Sequence, residues 1–315
     1  MTYLNDLVTC LWQYRKAAFA GQDALFDRCQ REGHRPPVFN WRDAIHNVLL
    51  APSLSDLQQS AVRGMLPASR RHRWFQSMRS SQALAQTVFG NLAVSGSLAC
   101  LSHVTSDCGN YPFAGLDAEN PAVELEYQVD HLGEDPRRCT SIDVVLRGKR
   151  HVYVECKLAE DGVGGCSRPR LADQDPDHCN GNYEHQMGRQ VRCALTARGI
   201  GYWQYIPGLF GWNDIDQVPC PIRCSYQLVR TVLAACVRAD GRIQTEGRSV
   251  VLLVDKRNPA FQRDGDGRRA FDAVHAALRN PEILHWCTWQ DVVQAMRQKA
   301  GLIGFADEVH DKYGF

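Results

Sequence analysis

Asp143, Glu155 and Lys157 are the residues of this sequence whose types and spacing could do chemistry. They lie on two short segments, 141–147 and 151–158, in which apolar and polar residues alternate. Such alternation predicts two β-strands, with the carboxylates and the lysine on one face and apolar side chains on the other. The apolar face carries Ile142, Val144, Leu146, Val152, Val154, Cys156 and Leu158.

A three-residue loop at 148–150 sets the register of this predicted hairpin. The register places Arg147 opposite His151, Asp143 opposite Glu155, and Ser141 opposite Lys157. Directly opposed side chains have Cβ atoms about 4.5–5.5 Å apart, and like charges there are destabilising. A two-residue loop would instead put the carboxylates on opposite faces of the hairpin. In the three-residue register the pair needs a cation, and Mg²⁺ prefers such oxygen ligands.

This arrangement suits the hydrolysis of a phosphodiester. A metal ion held by Asp143 and Glu155 would lower the pKa of a bound water and polarise the phosphate. Lys157 would orient or deprotonate the water and offset the charge that develops on the phosphate. The competing interpretation is an exposed strand face on which Glu155 and Lys157 form an ordinary surface ion pair.

Four motifs extend this pattern along the chain: Ser80-Ser81-Gln82-Ala83-Leu84, Thr140-Ser141-Ile142-Asp143, Glu155-Cys156-Lys157 and Asn258-Pro259-Ala260-Phe261-Gln262. With them, the sequence resembles the PD-(D/E)XK nuclease superfamily, in a bacterial restriction-endonuclease-like branch, over about residues 75–299. The resemblance implies an α/β fold with an αβββαβ core, in which helices flank a mixed central sheet. It also implies cleavage of nucleic acid, usually DNA, with Mg²⁺, for which Mn²⁺ could substitute. Ile142 replaces the proline of the motif name, at a position that varies widely among relatives.

The resemblance also implies supporting residues. Glu126 lies on the polar face of a predicted strand, 122–129, and resembles an extra acidic metal ligand; alternatively it faces solvent, as Glu124 would. The apolar face of that strand carries Val123, Leu125, Tyr127 and Val129. Relatives often have a glutamate on the first helix, for which Gln82 is the nearest substitute and a candidate nucleic-acid contact. Gln186 and Gln190 share a face of a predicted helix over 183–197, and Gln186 resembles a glutamine that some relatives place beside the metal.

Several arginines are candidates for binding phosphates. Arg70, Arg71 and Arg73 belong to a basic segment, 63–79, that contains no acidic residue and includes Trp74 and Phe75. Such a segment could bind phosphates by charge and stack bases on its rings, or be a solvated helix face. Arg189, Gln190 and Arg192 are further candidates for contact with nucleic acid, with ordinary surface positions as the alternative.

Thirteen cysteines are many for a reducing compartment. Their odd number and irregular spacing argue against a disulfide framework, so most are expected to be reduced thiols. Cys166, Cys179, Cys193 and Cys220 are concentrated after the active-site segment and could hold zinc or an iron–sulfur cluster. No C-x₂-C pair supports that ligand set, and the alternative is that these thiols are simply packed as small apolar groups.

The remaining pattern predicts the elements that position these residues. Helices are expected over 80–96, 183–197, 226–238, 268–278 and 289–299, and further strands over 201–206, 249–255 and 284–288. The expected organisation is an N-terminal helical accessory region at 1–75, a nuclease domain at 76–299 and a C-terminal tail at 300–315.

Composition limits the classes of protein that this chain can represent. Its 44% hydrophobic and 23% charged residues are typical of a globular enzyme, and no apolar run is long enough to span a membrane. A cytoplasmic location is expected, because the N-terminus lacks the basic start of a signal peptide. The expected partner is DNA, with action as a homodimer or with a partner subunit in restriction or anti-phage defence. Alternatives are a catalytically inactive nucleic-acid-binding module of the same fold and a cysteine-ligated metal protein.

Overall fold

The computed structural model describes residues 2–28, 30–116, 121–135, 141–186 and 188–315, so Thr140 of the second motif lies outside the described residues. The strands are β1 Ala122–Gln128, β2 Ser141–Arg147, β3 His151–Cys156, β4 Arg248–Val254 and β5 Leu284–Thr288. The α-helices are α1 Tyr3–Ala18, α2 Asp56–Gly64, α3 Ser81–Ala85, α4 Asn91–Val94, α5 Ala194–Ala197, α6 Tyr202–Leu209, α7 Tyr226–Cys236, α8 Asp266–Ala277, α9 Trp289–Arg297 and α10 Ile303–Tyr313. No helix within these ranges is both long and apolar enough to cross a lipid bilayer.

The five strands form one mixed sheet in the order β1-β2-β3-β4-β5. The first three strands are antiparallel neighbours, and β3, β4 and β5 run parallel. Parallel neighbours need a long crossover, and α7 supplies the helix of the crossover between β3 and β4. The helix before β1, strands β1 to β3, α7 and β4 make the αβββαβ core. The predicted α/β fold with a mixed sheet is therefore confirmed.

Helices cover both faces of this sheet. One core cluster packs Val152 and Val154 of β3 against apolar residues of α1, α3, α9 and α10. A second cluster packs Tyr153 and Val250 against α6, α7 and α8. β4 is buried on both faces and correspondingly reads as a continuous apolar run. The end of β3 therefore lies inside the protein, where polar groups need hydrogen-bond partners.

The edge of the sheet is irregular at Glu126, whose φ of 51° lies in the left-handed region. Such a conformation costs a non-glycine residue about 1–3 kcal/mol and persists only where its surroundings enforce it. Leu125 packs into the first core cluster and Tyr127 against the second, so the chain changes faces between them. Ile142 and Val144 on β2 also belong to different clusters. The sequence predicted that Leu125 and Tyr127 share one face of the sheet, and that Ile142 and Val144 do so too. Both predictions are wrong.

The terminal helices α1 and α10 pack against each other and share the first core cluster with the sheet. Tyr14 donates to Glu308 across this contact at 2.9 Å. Arg257, just after β4, donates to the backbone carbonyls of Tyr313 and Gly314. The proposed divisions near residues 75 and 300 remain predictions.

Two predicted elements between β3 and α7 are wrong. The helix expected over 183–197 is reduced to α5; the described residues before it, 183–186 and 188–193, are irregular, and Gly188 takes a left-handed φ of 83°. The strand expected over 201–206 is the helix α6. The element that follows β3 in the core is therefore α7, separated from it by a long, mostly irregular connection.

Candidate active site

An ion pair between Glu155 and Lys157 lies inside the protein at the end of β3. Lys157 Nζ donates to Glu155 Oε1 at 2.9 Å, and the two residues are only 5% and 1% exposed. The residues that alternate with them, Val154, Cys156 and Leu158, pack into the first core cluster, so both charged side chains occupy the opposite face. Burying charges costs several kcal/mol per ion unless they are well paired. The alternative of an exposed surface pair is therefore excluded.

Asp143 joins this pair through the backbone of β3. The ladder between β2 and β3 includes the predicted partners Arg147 and His151 and ends at Val144–Val154. The pairing expected between Asp143 and Glu155 lies beyond the ladder. Asp143 Oδ2 instead accepts the backbone N–H of Cys156 at 2.7 Å. The carboxylate thus holds the two strands together beside Glu155.

Glu126 is held next to Asp143 by two hydrogen bonds. Its carboxylate accepts Gln82 Nε2 at 2.6 Å and Ser141 Oγ at 2.5 Å. Gln82 comes from α3, so the helix before β1 reaches the site through an amide where relatives often have an acid. The strained backbone of Glu126 therefore carries a carboxylate that is fixed within the site and not free in solvent.

The concentration of carboxylates perturbs their protonation. Burial, together with the charges of Glu155 and Glu126, raises the pKa of Asp143 well above its ordinary value. Burial also raises the pKa of Glu126, against the effect of its two hydrogen bonds. Burial alone would lower the pKa of Lys157, but the surrounding carboxylates, Glu155 above all, raise it, so the side chain stays protonated. The site therefore favours an added positive charge, from a proton or from a metal ion.

Gln227, in the first turn of α7, contacts both members of the buried pair. Its Nε2 donates to Glu155 Oε1, and its Oε1 accepts Lys157 Nζ at 2.9 Å. One turn later, Thr231 Oγ1 donates to Glu155 Oε2 at 3.2 Å. The sequence interpretation missed both residues. The predicted helix over 226–238 was the available signal, since residues four apart on it share the face toward the sheet.

Two of the motifs hold the chain that follows Lys157. Ser81 donates to Glu160 at 2.8 Å, and the same carboxylate accepts the backbone N–H of Leu158 at 2.6 Å. Asn258 donates to the carbonyls of Leu158 and Glu160 at 3.1 and 2.8 Å. These bonds satisfy backbone groups where strand pairing ends. Both motifs therefore fix the position of the catalytic candidates.

A cleft of about 1160 Å³ opens onto this site. Asp143, Glu155 and Lys157 line it together with Glu126, Gln82 and Gln227. The N-terminal part of the chain contributes mainly basic and aromatic side chains to the lining, among them Arg31, Arg35, Arg70, Trp74 and Arg79, together with the acidic Asp27. The cleft is thus acidic around Asp143 and basic along the N-terminal side, as binding of an anionic polymer near a cation site requires.

The other predicted arginines of the basic segment lie differently. Arg71 donates to the carbonyl of Leu66 at 3.2 Å and stacks on Phe75, while Arg73 stacks on Trp74. Neither is among the residues that line the cleft. Arg70 is the member of this predicted trio that the fold brings to the site.

Comparison with known families agrees with this architecture. Residues 38–314 match the model of a family described as Restriction Endonuclease associating with ARP. The chain belongs to this family. The match is wider than the 75–299 expected from the motifs and takes in part of the N-terminal region. No curated protein and no solved structure gives a significant match to the chain.

The helix that was expected to bring Gln186 and Gln190 to one face is not formed by the described residues between 183 and 193. Gln186 donates to Asn180 at 2.8 Å and lies near Cys179, outside the cleft lining, and Gln190 is exposed. Arg189 donates to the backbone of His178. The glutamine beside the buried pair is Gln227, and the predicted role of Gln186 loses its structural basis.

The four predicted cysteines do come together. Cys166, Cys179, Cys193 and Cys220 line one small cavity, separate from the cleft. Among the described residues, however, no three side chains of His, Cys, Asp or Glu are grouped so that they could hold a metal ion as they stand. The described carboxylates of the cleft are likewise not grouped so that they could hold a metal ion as they stand.

Proposed function

We propose that this chain is a Mg²⁺-dependent endonuclease that hydrolyses phosphodiester bonds of DNA. The observation that supports this most is the buried ion pair of Glu155 and Lys157 at the end of β3, which lies beside the half-buried Asp143 of β2 and an open cleft. Buried charge is costly, and a purely structural sheet would place apolar residues there. A perturbed cluster of ionisable groups in a cleft is a candidate functional site.

The donor set fits a hard divalent cation. Asp143, Glu155 and Glu126 offer carboxylate oxygens, the ligands that Mg²⁺ and Mn²⁺ prefer. Asp143 and Glu155 now accept protein hydrogen bonds, from Cys156 N–H and from Lys157 and Gln227. Ion binding would exchange part of these for metal–oxygen bonds. The bound ion would activate water and stabilise negative charge on the phosphate.

Lys157 serves the phosphate as a fixed cation. Glu155 and Gln227 hold its Nζ, and the raised pKa keeps it protonated. It therefore acts as a hydrogen-bond donor to charge that develops on the phosphate, more than as a base toward water. Gln227 is a positioning residue, because it acts through Glu155 and Lys157. On the other side of the cleft, Arg70 and Arg79 would bind the phosphates of the DNA backbone.

The biological setting of this activity is restriction or anti-phage defence. The family description names restriction endonucleases that associate with ARP. We therefore propose that this chain acts with such a partner. A homodimer is the other arrangement by which a single active site per chain could cut both strands.

Cleavage of supercoiled plasmid with Mg²⁺ or Mn²⁺ tests the proposal, with single-stranded DNA and RNA as parallel substrates. Asp143→Ala and Glu155→Ala should abolish metal-dependent cleavage. Lys157→Ala should lose about 10²–10³ in rate, as expected for one electrostatic contributor. Glu126→Ala should reduce cleavage, whereas Glu124→Ala, a half-exposed glutamate on the same strand, should cut like the parent.

Undiminished cleavage by both acid variants would show that the reaction occurs elsewhere or comes from a contaminant. DNA binding without cleavage in any metal would favour the inactive nucleic-acid-binding module. Val154→Asp, on the core side of β3, should misfold, which separates loss of fold from loss of chemistry.

A further inference from the structure

Four cysteines converge on one cavity from separate stretches of irregular chain. Cys166 and Cys179 come from the connection after β3, Cys193 precedes α5, and Cys220 lies before α7. The cavity measures about 20 Å³, which is about the room that one water molecule needs. The described cysteines at this cavity are all free thiols.

The backbone is arranged to stabilise negative charge on three of these sulfurs. The N–H of the residue two positions later points at the sulfur in each case: Arg168 at Cys166, Gly181 at Cys179, and Ile222 at Cys220. A backbone N–H donated to sulfur favours the thiolate over the thiol. Three repeats of one local geometry around one cavity indicate that these turns are formed to present thiolates.

The turns that carry the cysteines are joined before any ligand binds. Cys166 N–H donates to the carbonyl of Arg223 at 2.8 Å, and Cys220 N–H donates to that of Gly181 at 3.0 Å. Arg168 and Arg223 also line the cavity and would offset negative charge there. The ligand positions are therefore preorganised, within a segment that has little regular structure of its own.

A long irregular segment needs an additional constraint. Between β3 and α5 the described chain contains one 3₁₀ turn, Arg168–Arg170, as its regular element. Loops beyond about 12–15 residues without secondary structure are uncommon in compact domains unless something fixes them.

We propose that Cys166, Cys179, Cys193 and Cys220 bind one zinc ion, as a structural centre separate from the active site. Four thiols would lose their protons to solvent and one Zn²⁺ would enter, which leaves a net charge of −2 beside Arg168 and Arg223. The side chains must turn toward the centre of the cavity, since they are not yet grouped as ligands. The small cavity favours a single ion over an iron–sulfur cluster.

The centre would also support the catalytic residues. Gly164, two residues before Cys166, accepts the backbone N–H of Gln227 at 3.0 Å. Its φ is 79°, and a side chain there would collide with Gln227. Fixing the cysteine segment therefore fixes the start of α7, where Gln227 contacts Glu155 and Lys157.

Metal analysis of the full chain, purified without chelator or affinity-column metal, tests the proposal. We expect about one zinc per chain, and about four thiols that react only after the metal is removed. Cys166→Ser and Cys220→Ser should each lower zinc content and Tm. Cys224→Ser, an exposed cysteine close to Cys220, is the matched control and should retain both. Asp143→Ala should retain full zinc, which separates this centre from the nuclease site.

If the serine variants do not fold, the parent protein still decides the question. Cobalt(II) exchanged into the parent should give the visible bands of a tetrahedral thiolate site. Less than about 0.2 zinc per chain, with four freely reactive thiols, would overturn the proposal. Disulfides among these cysteines would overturn it as well. Iron with inorganic sulfide in place of zinc would overturn the assignment to a single ion.

Discussion

Neutralising Glu155 should destabilise the protein even though the site contains an excess of carboxylates. Glu155 accepts Lys157, Gln227 and Thr231, and it is 1% exposed. Removing one partner of a buried ion pair costs about 3–5 kcal/mol, because the other charge stays buried without compensation. Glu155→Gln keeps an oxygen for its donors, so we expect the lower value, about 3 kcal/mol.

The same reasoning applies to Lys157 and makes the two substitutions non-additive. Lys157→Met should also cost about 3 kcal/mol, since Glu155 then lacks its cation. The double variant Glu155→Gln/Lys157→Met contains no unpaired charge of this pair. The double variant should therefore lose about as much free energy of unfolding as one single variant does. This corresponds to a coupling energy between the two substitutions of about 2–3 kcal/mol.

Urea unfolding at pH 7 in EDTA, followed by circular dichroism, measures these values. For a chain of 315 residues the unfolding entropy is about 0.66 kcal/mol/K, so 3 kcal/mol lowers Tm by about 5 °C. Asp143→Asn is the contrasting variant: because the pKa of Asp143 is raised, removing its charge should not destabilise the protein without metal. Additivity of the two single losses within about 0.5 kcal/mol would refute the reasoning.

Three further predictions concern the cleft. Because the pKa of Asp143 is raised, protons compete with the metal for its carboxylate. The rate of cleavage should therefore fall as pH drops through that pKa, and added Mg²⁺ should shift this fall to lower pH. A fall at the same pH at every Mg²⁺ concentration would contradict this. Without metal the same shift makes stability decrease as pH rises through that pKa. Gln227→Met should lower kcat about 10–100-fold with KM nearly unchanged, whereas Thr231→Val should have a smaller effect; equal effects would argue against positioning by Gln227. Arg70→Ala and Arg79→Ala should each weaken DNA binding and reduce the slope of log K against log salt by about 1, and unchanged slopes would place the DNA elsewhere.

The parts of the fold that the sequence predicted best are those with a clear period and a marked turn. The bounds of β2 and the register of Arg147 with His151 follow from alternation on both sides of Gly148. β5 and the start of α9 follow from an apolar strand that meets Thr288, which forms a capping box with Asp291. In these elements local preference and tertiary packing agree.

Prediction failed where the period was ambiguous. The aromatic segment that forms α6 is short and apolar, and such segments do not distinguish a strand from a buried helix. The segment 183–197 has helical spacing of a few polar residues, but Gly188 is left-handed and no apolar face spans it. Because that false helix was the first one predicted after β3, the glutamine of the site was sought at Gln186 and not on α7.

The sequence predicted that Asp143, Glu155 and Lys157 would lie together, and they do, but it did not predict how they contact one another. Asp143 is held by a side-chain bond to Cys156 N–H, and Glu155 and Lys157 form a buried ion pair. Strand periodicity alone cannot show a ladder that ends early, or a glutamate with positive φ, since glutamate has no preference for that conformation.

Glu126 has a consequence for how this protein can be changed. At a φ of 51° glycine would be free of the steric penalty that glutamate incurs. Glu126→Gly therefore offers a local gain in stability that evolution or an engineer could take at the expense of the carboxylate. Selection for thermal stability alone should favour glycine at this position, whereas selection for cleavage should keep glutamate. At this one position, stability and catalytic activity therefore favour different residues.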